Sequence, residues 1–442
     1  MKDFATSDNP AVQAQLDRLA ALSLPQGRLG LEVIHTLLAR LGDPQKRIPP
    51  AFHVAGTNGK GSTCAFLRAM LEAQGLAVHV AAKPHLVRYN ERIRLAGELI
   101  GDEMLAALLR EVLDAGEDLS PSFFEVTTAA TFLAFAREPA DACVIEVGLG
   151  GRYDATNVLE QPAACGIASL GLDHEQFLLA PEDGAPADPL VRIAFEKSGI
   201  ARTGSPLVVQ YYPAAMADEI VNRAAQGGAA LFARDRDWFA ETSSDSILYR
   251  DRLGELTLPL PTLPGAHQAE NAALAVAMLR HQDRVDISPD ALAKGIVAAR
   301  WPARLQWLSS GPLTALVPQA KVLLDGGHNP DAAAALAQYL AQLGGPVHAV
   351  VGMLSGKDAG NYLRLLAPQL ASLTAIPSTG SDAHAPETLA AIAQDAGIAE
   401  VATAISTDAA LRALAEKPGT VLIAGSLYLA GVVLRANEEV PD

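Results

Sequence analysis

A glycine-rich segment at residues 53–63, H-V-A-G-T-N-G-K-G-S-T, has the residue types that bind phosphate. It follows an apolar run at 51–55 that predicts a buried strand, and it leads into 63–74, whose periodicity predicts a helix. A glycine turn at such a junction directs backbone N–H groups and the positive end of a helix at one spot. Lys60 would add a charge for nucleotide phosphates. The usual phosphate-loop pattern is matched incompletely, because the hydroxyl comes one residue late, at Ser62. A plain glycine-rich turn therefore stays open as the alternative.

Charged side chains also occur where other predicted strands end. Residues 142–147 predict a strongly apolar strand that contains Glu146, and a carboxylate buried there needs a metal ion or another cation as its partner. Residues 83–94, K-P-H-L-V-R-Y-N-E-R-I-R, follow a second predicted strand at 77–82. Ligands collect at the carboxyl ends of strands in α/β sheets, so both positions are candidate site residues.

The elements that must position these residues alternate between strand and helix, which predicts an α/β protein with parallel, doubly wound sheets. Residues 299–313 break the alternation and predict a boundary between domains 1–300 and 301–442. Residues 177–189 are expected to form a surface loop, and 230–262 a small β layer. Further strands are predicted at 164–170, 206–210, 321–325, 347–351, 372–376 and 421–424. Helices are predicted at 11–22, 31–41, 104–113, from 122, 190–200, 214–225, 268–279, 288–298, 331–342, 358–369, 387–396, 407–416 and from about 427.

Composition excludes several classes of protein. Half of the 442 residues are hydrophobic, the formal charge is −16 and the pI is about 5.1, so binding to a nucleic-acid backbone is not expected. The three cysteines lack metal-site spacing and are expected to be buried and reduced. The longest apolar run, 420–434, is too short to span a bilayer, and the N-terminus has no apolar signal region. A cytoplasmic protein with no membrane or nucleic-acid partner is expected, and it is expected to be a monomer.

Seven segments together resemble the folylpolyglutamate synthase/dihydrofolate synthase family of the Mur ligase superfamily, in family order and spacing. They are G-T-N-G-K-G-S at 56–62, P-H-L-V-R-Y-N-E-R-I-R at 84–94, E-V-G-L-G-G-R-Y-D-A-T-N at 146–157, L-D-H at 172–174, E-K-S-G-I at 196–200, D-G-G-H-N-P at 325–330 and G-S-L-Y at 425–428. The resemblance implies an N-terminal P-loop ATPase domain that binds ATP and pterin. It also implies a smaller Rossmann-like C-terminal glutamate ligase domain, with the active site between the two.

The activity that the resemblance implies is an ATP-dependent amide ligation. ATP would phosphorylate the carboxylate of dihydropteroate or of a folate (poly)glutamate, and L-glutamate would attack the acyl phosphate. Phosphorylation supplies the leaving group that a carboxylate lacks, and fixed positive charge with Mg²⁺ at two sites would bring the anions together. A Mur-type peptide ligase and a catalytically weakened pterin- or nucleotide-binding homologue remain as alternatives.

The resemblance also assigns roles to individual residues. The implied catalytic residues are Lys60, Lys197 and His328. The implied ATP-binding residues are Thr57, Asn58, Gly59, Lys60, Gly61, Ser62, Asn271, Arg304 and Asp325. The implied substrate-binding residues are Arg88, Ser122, Phe123, Phe124, Glu125, Tyr153, Asp154 and Ala155. The implied metal ligands are Glu146, His174 and, once carbamylated, Lys197.

Purely structural roles compete with these assignments. Ser122 and Glu125 have the spacing of a helix capping box. The competing structural roles are a hydrogen-bonded buried acid for Glu146, a core histidine for His174, a helix lysine paired with Glu196 for Lys197, a mid-helix amide for Asn271, an ion pair for Arg304, a helix cap for Asp325, a turn hydrogen bond for His328, and core packing for Phe123 and Phe124.

One position departs from the family in a way that bears on the metal. Lys83 stands where the family usually has a serine that binds Mg²⁺, and a protonated lysine has no lone pair to offer. Three consequences stay open: water or Ser62 fills the place, the ammonium itself neutralises phosphate, or the activity is impaired. The first two are favoured, because the remaining motifs are intact.

Overall fold

The computed structural model describes residues 6–22, 30–378 and 382–441. The chain divides into two compact units, Met1–Thr262 with Gln268–Arg300, and Leu263–His267 with Trp301–Asp442. Strands and helices alternate in both units, so the predicted α/β class is confirmed. Among the described residues, no helix is both long and apolar enough to cross a membrane.

The first unit is built on an eight-stranded sheet in the order β4-β3-β2-β5-β1-β6-β7-β8, and β2 to β8 in this order run parallel. A separate antiparallel sheet has the order β11-β10-β9. The strands are β1 Ala51–Ala55, β2 Val78–Ala81, β3 Ile93–Leu95, β4 Glu98–Leu99, β5 Ala142–Glu146, β6 Ala164–Ile167, β7 Pro206–Val209, β8 Ala230–Ala233, β9 Trp238–Thr242, β10 Ser246–Asp251 and β11 Gly254–Pro259. The helices are α1 Pro10–Ala21, α2 Glu32–Arg40, α3 Lys60–Ala73, α4 Asp102–Gly116, α5 Phe123–Arg137, α6 Glu175–Leu178, α7 Pro189–Ser198, α8 Ala214–Gly227, α9 His267–Arg280 and α10 Pro289–Ala298.

Helices cover both faces of the large sheet and bury its apolar side chains. On one face, α1, α2, α4 and α5 pack into a core around Phe132 and Phe135. On another, α7 and α8 pack against β6 and β7. β1 and β5 are buried along their whole length, as expected for strands in the middle of a parallel sheet. The chain passes from β1 to β2 on one side of β1 and later from β5 to β6 on its other side, and ligands bind at the carboxyl ends of strands where the strand order reverses in this way.

The second unit has a six-stranded sheet in the order β12-β13-β17-β14-β15-β16, which is parallel except at β12. Its core lies around Tyr362, Leu363 and Leu366. The strands are β12 Gln306–Trp307, β13 Ala320–Asp325, β14 Val347–Val351, β15 Ser372–Ala375, β16 Val401–Thr403 and β17 Gly419–Ala424. The helices are α11 Pro330–Leu340, α12 Ala359–Leu366, α13 Pro386–Asp395, α14 Thr407–Ala413 and α15 Leu427–Ala436.

The structure corrects several sequence-based boundaries. The helix predicted from residue 63 begins at Lys60, because the glycine turn itself starts the helix. β8 belongs to the large sheet rather than to a separate β layer. The segment 177–189 is not wholly the predicted surface loop, because its first two residues end α6 and Glu182 is largely buried. The predicted capping box of α5 is confirmed.

Candidate active site

The phosphate-loop segment, residues 56–62, joins the end of β1 to the start of α3. Gly59 precedes the helix with a φ of 80°, and no described side chain caps this end of the helix. The positive φ favours glycine, and a Cβ built on Gly59 would also collide with the Asn271 side chain of α9, which would then have to move. The first N–H groups of α3 have no carbonyl partners within the helix and lie at its positive end. This arrangement can bind a phosphate.

Hydrogen bonds hold the loop against the segment that follows β6. The Thr57 hydroxyl donates to the Gly171 carbonyl (2.9 Å) and accepts from the Gly171 N–H (3.1 Å). The N–H groups of residues 57 and 58 both donate to the Ser169 carbonyl. Lys60 Nζ donates to the carbonyls of Gly56 (2.9 Å) and Thr57 (3.1 Å), so its ammonium lies over the loop. Of the predicted ATP-binding positions in this segment, Thr57, Asn58, Gly59 and Lys60 are half-buried, and Gly61 and Ser62 are buried.

The ends of β2 and β5 place Lys83 beside Glu146. Glu146 is the last residue of β5 and only 3% exposed, and its Oε2 accepts a hydrogen bond from the Lys83 N–H at 3.0 Å. The Lys83 Nζ lies 3.9 Å from Asp154 Oδ1, with 9% of the lysine side chain exposed. Burial lowers the pKa of Lys83, which the Asp154 carboxylate partly offsets.

Asp154 organises the loop between β5 and β6. Its Oδ2 accepts from the N–H groups of Gly148 (3.0 Å) and Leu149 (2.8 Å), and its Oδ1 accepts from the N–H (3.0 Å) and hydroxyl of Thr156. Burial raises the pKa of Asp154, but Lys83 and the hydrogen bonds outweigh burial and hold it below its usual value. The carboxylate is therefore kept ionised and fixed in place.

Lys197 lies on α7 and is 4% exposed. Burial lowers its pKa to about 7, with a further lowering by Lys60 and opposing contributions from Asp173 and Asp154. His174 precedes α6 with a φ of 54° and is half-buried, and its Nε2 lies 3.8 Å from Asp173 Oδ2. Asp173, which is not among the predicted site residues, thus lies beside His174 and acts electrostatically on Lys197.

An ion-pair network joins α7 to the two loops that flank it. Arg152 donates to both Glu182 (Nη1–Oε1, 3.0 Å) and Glu196 (Nη2–Oε1, 2.7 Å). Arg192 Nη2 reaches the same two carboxylates, at 2.8 and 3.0 Å. The alternative role for Lys197, an ion pair with Glu196, is therefore not what the structure contains: Glu196 pairs with the two arginines.

The predicted pterin-lining segments lie at the start of α5 and beside it. Ser122 and Glu125 bond reciprocally, with Oγ accepting from the Glu125 N–H (3.3 Å) and Oε2 from the Ser122 N–H (2.7 Å). Phe123 packs edge-on against Phe124 and against Tyr89, at centroid distances of 5.4 and 6.0 Å. Phe123 and Phe124 are both half-buried, so part of each ring stays accessible.

The other predicted substrate-binding residues differ in their surroundings. Arg88 is exposed. Tyr153 is half-buried under the Arg152 guanidinium, 4.2 Å from its ring centroid. Ala155 is buried within the core that contains α5. Only Arg88 and Tyr153 of this group offer accessible surface to a ligand.

In the second unit, Arg304, Asp325 and His328 meet around Gly326. Asp325 accepts from the N–H groups of Leu305 (3.0 Å) and Gly327 (2.8 Å), and His328 Nδ1 lies 2.9 Å from the Gly326 carbonyl oxygen. A Cβ on Gly326 would meet Arg304 Nη1 at 3.0 Å. The cap of α11 is Asn329, so the alternative role of Asp325 as a helix cap is wrong.

Comparisons with known proteins identify the family. The "Mur ligase, glutamate ligase domain" model matches residues 304–427. The Escherichia coli K12 dihydrofolate synthase/folylpolyglutamate synthase is 35% identical over 410 residues, 92% of this chain and 90% of that protein. The chain belongs to the dihydrofolate synthase/folylpolyglutamate synthase family.

Solved structures of this family extend the match to the whole fold. An E. coli family structure with DHPP and ADP has a TM-score of 0.85 at 33% identity and covers 97% of both chains. A bifunctional family member with Mn, AMPPNP and L-glutamate bound has a TM-score of 0.83 at 32% identity and covers 99% of both. The architecture is therefore a P-loop ATPase unit of Mur ligase type with a smaller Rossmann-like unit, and the protein is an ATP-dependent, ADP-forming ligase of carbon–nitrogen bonds.

Sequence reasoning missed four ionic neighbours of the site: Asp173, Arg152, Arg192 and Glu182. Asp173 had a signal, because it directly precedes His174 in one motif. Glu182 had none, since its partners are 30 and 10 residues away.

Proposed function

We propose that this protein adds L-glutamate to dihydropteroate and to folate (poly)glutamates, through an acyl phosphate made from ATP. The observation that carries this proposal is the uncapped N-terminus of α3, with Lys60 over the loop and with Glu146 and Lys83 at the ends of the neighbouring strands β5 and β2. A phosphate-binding loop beside fixed charges is what phosphoryl transfer to a carboxylate requires. A Mur-type peptide ligase and a catalytically weakened binding homologue are not favoured.

The loop residues bind the phosphates of ATP in this proposal. Lys60 leaves the carbonyls of Gly56 and Thr57 and contacts the terminal phosphates, while the first N–H groups of α3 contact the others. Asn271 lies against Gly59 and contacts the nucleotide from α9. Within the second unit, nucleotide binding is proposed for Arg304 and Asp325 and a catalytic role for His328, which meet around Gly326.

The acceptor is held by the start of α5 and the loop after β5. The half-buried rings of Phe123 and Phe124 offer a flat apolar surface to a pterin. Tyr153 and Arg88 contact the rest of the acceptor. Four further residues support this surface without offering free polar groups to the acceptor, because their side chains already have partners. Ser122 and Glu125 form the α5 cap, Asp154 holds the loop after β5, and Ala155 lies in the core.

Lys197 is the site of carbamylation. Its amine is partly neutral near pH 7, because burial lowers the pKa to about 7, and only a neutral amine can add CO₂. The carbamate converts a cation into an anionic group with two oxygens. With His174 and Asp173 nearby, that group would complete an oxygen- and nitrogen-rich site for a divalent cation.

The fit of a divalent cation differs between the two expected sites. Within the described residues, no group of three or more His, Cys, Asp or Glu side chains could hold a metal as the chain stands. His174 and carbamylated Lys197 would hold one ion, and a bound ion would neutralise phosphate charge. At the other site Glu146 faces Lys83, whose ammonium cannot ligate a metal, so the residues there do not fit.

An assay for both products tests the proposed function. The protein is incubated with ATP, MgCl₂, L-glutamate and either dihydropteroate or tetrahydrofolate monoglutamate, and ADP and the glutamylated product are measured by mass spectrometry. Equal amounts of ADP and product are expected, and Lys60→Met should lose both. Lys294→Met, at an exposed position on α10, should keep both. ADP without glutamylated product, or neither product, would reject the ligase.

A further inference from the structure

Lys83 has a buried ammonium whose hydrogen-bonding capacity is not used. Its Nζ is shielded from solvent and has no hydrogen-bond partner among the residues that the structure describes. Asp154 Oδ1, at 3.9 Å, is too distant for a hydrogen bond, and that carboxylate already accepts four bonds from Gly148, Leu149 and Thr156. A buried ammonium whose three donors are unused is costly, so its position calls for a ligand.

The sheet places this ammonium at the same edge as the phosphate loop. β5 lies between β2 and β1, with Ala81 paired to Ile145 and Val54 paired to Glu146. Lys83 and Gly56 each lie two residues beyond those pairs. Neighbouring strands are about 4.8 Å apart, so the two chain segments leave the sheet about 10 Å apart, within reach of a long side chain and a triphosphate.

We propose that Lys83 is an anion-binding residue whose ammonium contacts the terminal phosphate of ATP. Because it lies beside Glu146, it takes the place that a divalent cation would need there and supplies part of the same charge neutralisation. This inference rests on the proposed function, since it needs ATP at the loop. If Lys83 contacts the phosphate, the affinity of this protein for ATP should depend less on Mg²⁺ than the affinity of a variant with serine at position 83.

If Lys83 is instead only the structural counter-ion of Asp154, different results are expected. In that case loss of the ammonium would destabilise the fold, and ATP affinity would change equally with and without a metal. The variant Lys83→Met tests the charge at nearly constant volume, and Lys83→Arg keeps the charge. The double variant Lys83→Met/Asp154→Asn removes both charges, so it avoids a lone buried carboxylate if Lys83→Met alone fails to fold.

Calorimetric titration with ATP and with ADP, in EDTA and in MgCl₂, separates these possibilities. In EDTA, Lys83→Met is expected to lose about tenfold or more in ATP affinity, because a hydrogen bond to a charged group is lost, but to keep its ADP affinity. Lys83→Arg should retain most of the ATP affinity. Lys83→Ser should show a steeper gain in affinity with MgCl₂ than the wild type.

Three results would overturn the inference. They are unchanged ATP affinity of Lys83→Met in EDTA, an equal loss for ADP and ATP, and identical MgCl₂ titrations for wild type and Lys83→Ser. If Lys83→Met does not fold, the double variant is read in the same way. Lys294→Met, an exposed lysine with its own partner Asp290, is the matched control and should bind as the wild type does. If the wild type binds no ATP under any condition, the proposed function fails rather than this inference.

Discussion

Burial of the Lys197 amine lowers the stability of the folded protein near neutral pH. Its pKa is about 7 when folded, against 10.5 for an unperturbed lysine, because burial opposes the charge. As pH falls from 10.5 to 7, the unfolded amine takes up a proton and the folded amine does not, so stability falls across this window and then levels off. One pKa unit is worth about 1.4 kcal/mol, so the penalty at neutral pH is of the order of a few kcal/mol.

Lys197→Met is therefore expected to raise the free energy of unfolding at pH 7 while it lowers the ligase rate at least tenfold, as loss of a catalytic group does. Urea unfolding in CO₂-free buffer at pH 7 and near pH 10.5 measures the first effect, which should shrink at the higher pH. Lys294→Met should change neither quantity at either pH. A Lys197→Met protein that is less stable at pH 7, or as active as the wild type, would contradict this account.

Gly59 gives a second test at the residue scale, with Gly75 as its matched control. Both have positive φ, 80° and 89°, so alanine costs about 1–2 kcal/mol of backbone strain at either position. Only at Gly59 would the new Cβ also collide with Asn271, whereas no described atom lies within 4 Å at Gly75. Gly59→Ala is expected to abolish measurable ATP binding and Gly75→Ala to leave it intact. Titration with ATP measures this, and equal affinities would show that the loop is not the nucleotide site.

At the scale of elements, the Arg152, Arg192, Glu182 and Glu196 network fixes α7 against its neighbouring loops. The Glu182 side chain is 15% exposed and forms ion pairs with both arginines. Glu182→Gln therefore removes one of the negative charges that neutralise the two largely buried guanidinium groups. We expect a loss of about 2 kcal/mol or more in unfolding free energy. Faster proteolysis within 177–189 should accompany it.

Asp183→Asn, at the exposed neighbouring position, is the control and should leave unfolding and proteolysis unchanged. Thermal unfolding with limited proteolysis gives both readouts. If Glu182→Gln and Asp183→Asn unfold and are proteolysed alike, residues 177–189 act as the plain surface loop that the sequence predicted, and the network does not fix them.

The range of each interaction along the chain decided which elements could be predicted. The α5 capping box was predictable because Ser122 and Glu125 are three residues apart and signal each other locally. The α3 start was misplaced by three residues, since Gly61 and Ser62 have weak helix preference and the turn geometry sets the boundary. Short strands such as β12 and β16 carry too few residues for a period-two pattern.

The site was predicted from the sequence only as far as its motifs extend. Phosphate-loop residues are contiguous, so their grouping follows from one strand–turn–helix unit. The meeting of Lys83 with Asp154 depends on the order of strands in the sheet, which no local pattern states. Glu182 lacked a signal for the same reason, because its burial depends on two arginines from other elements.

At the scale of the whole molecule, the proposed function requires one phosphate loop to serve both acceptors. Dihydropteroate and a folate glutamate tail each present a carboxylate, and both need a phosphoryl group from the same ATP. The two acceptors are therefore expected to compete: each should inhibit glutamylation of the other, with an inhibition constant equal to its own KM. Product formation from mixtures of the two, resolved by mass spectrometry, measures this, and Lys60→Met should abolish both reactions together. Additive rates when both acceptors are saturating would instead require two independent sites, and would contradict a single ATP loop acting on both.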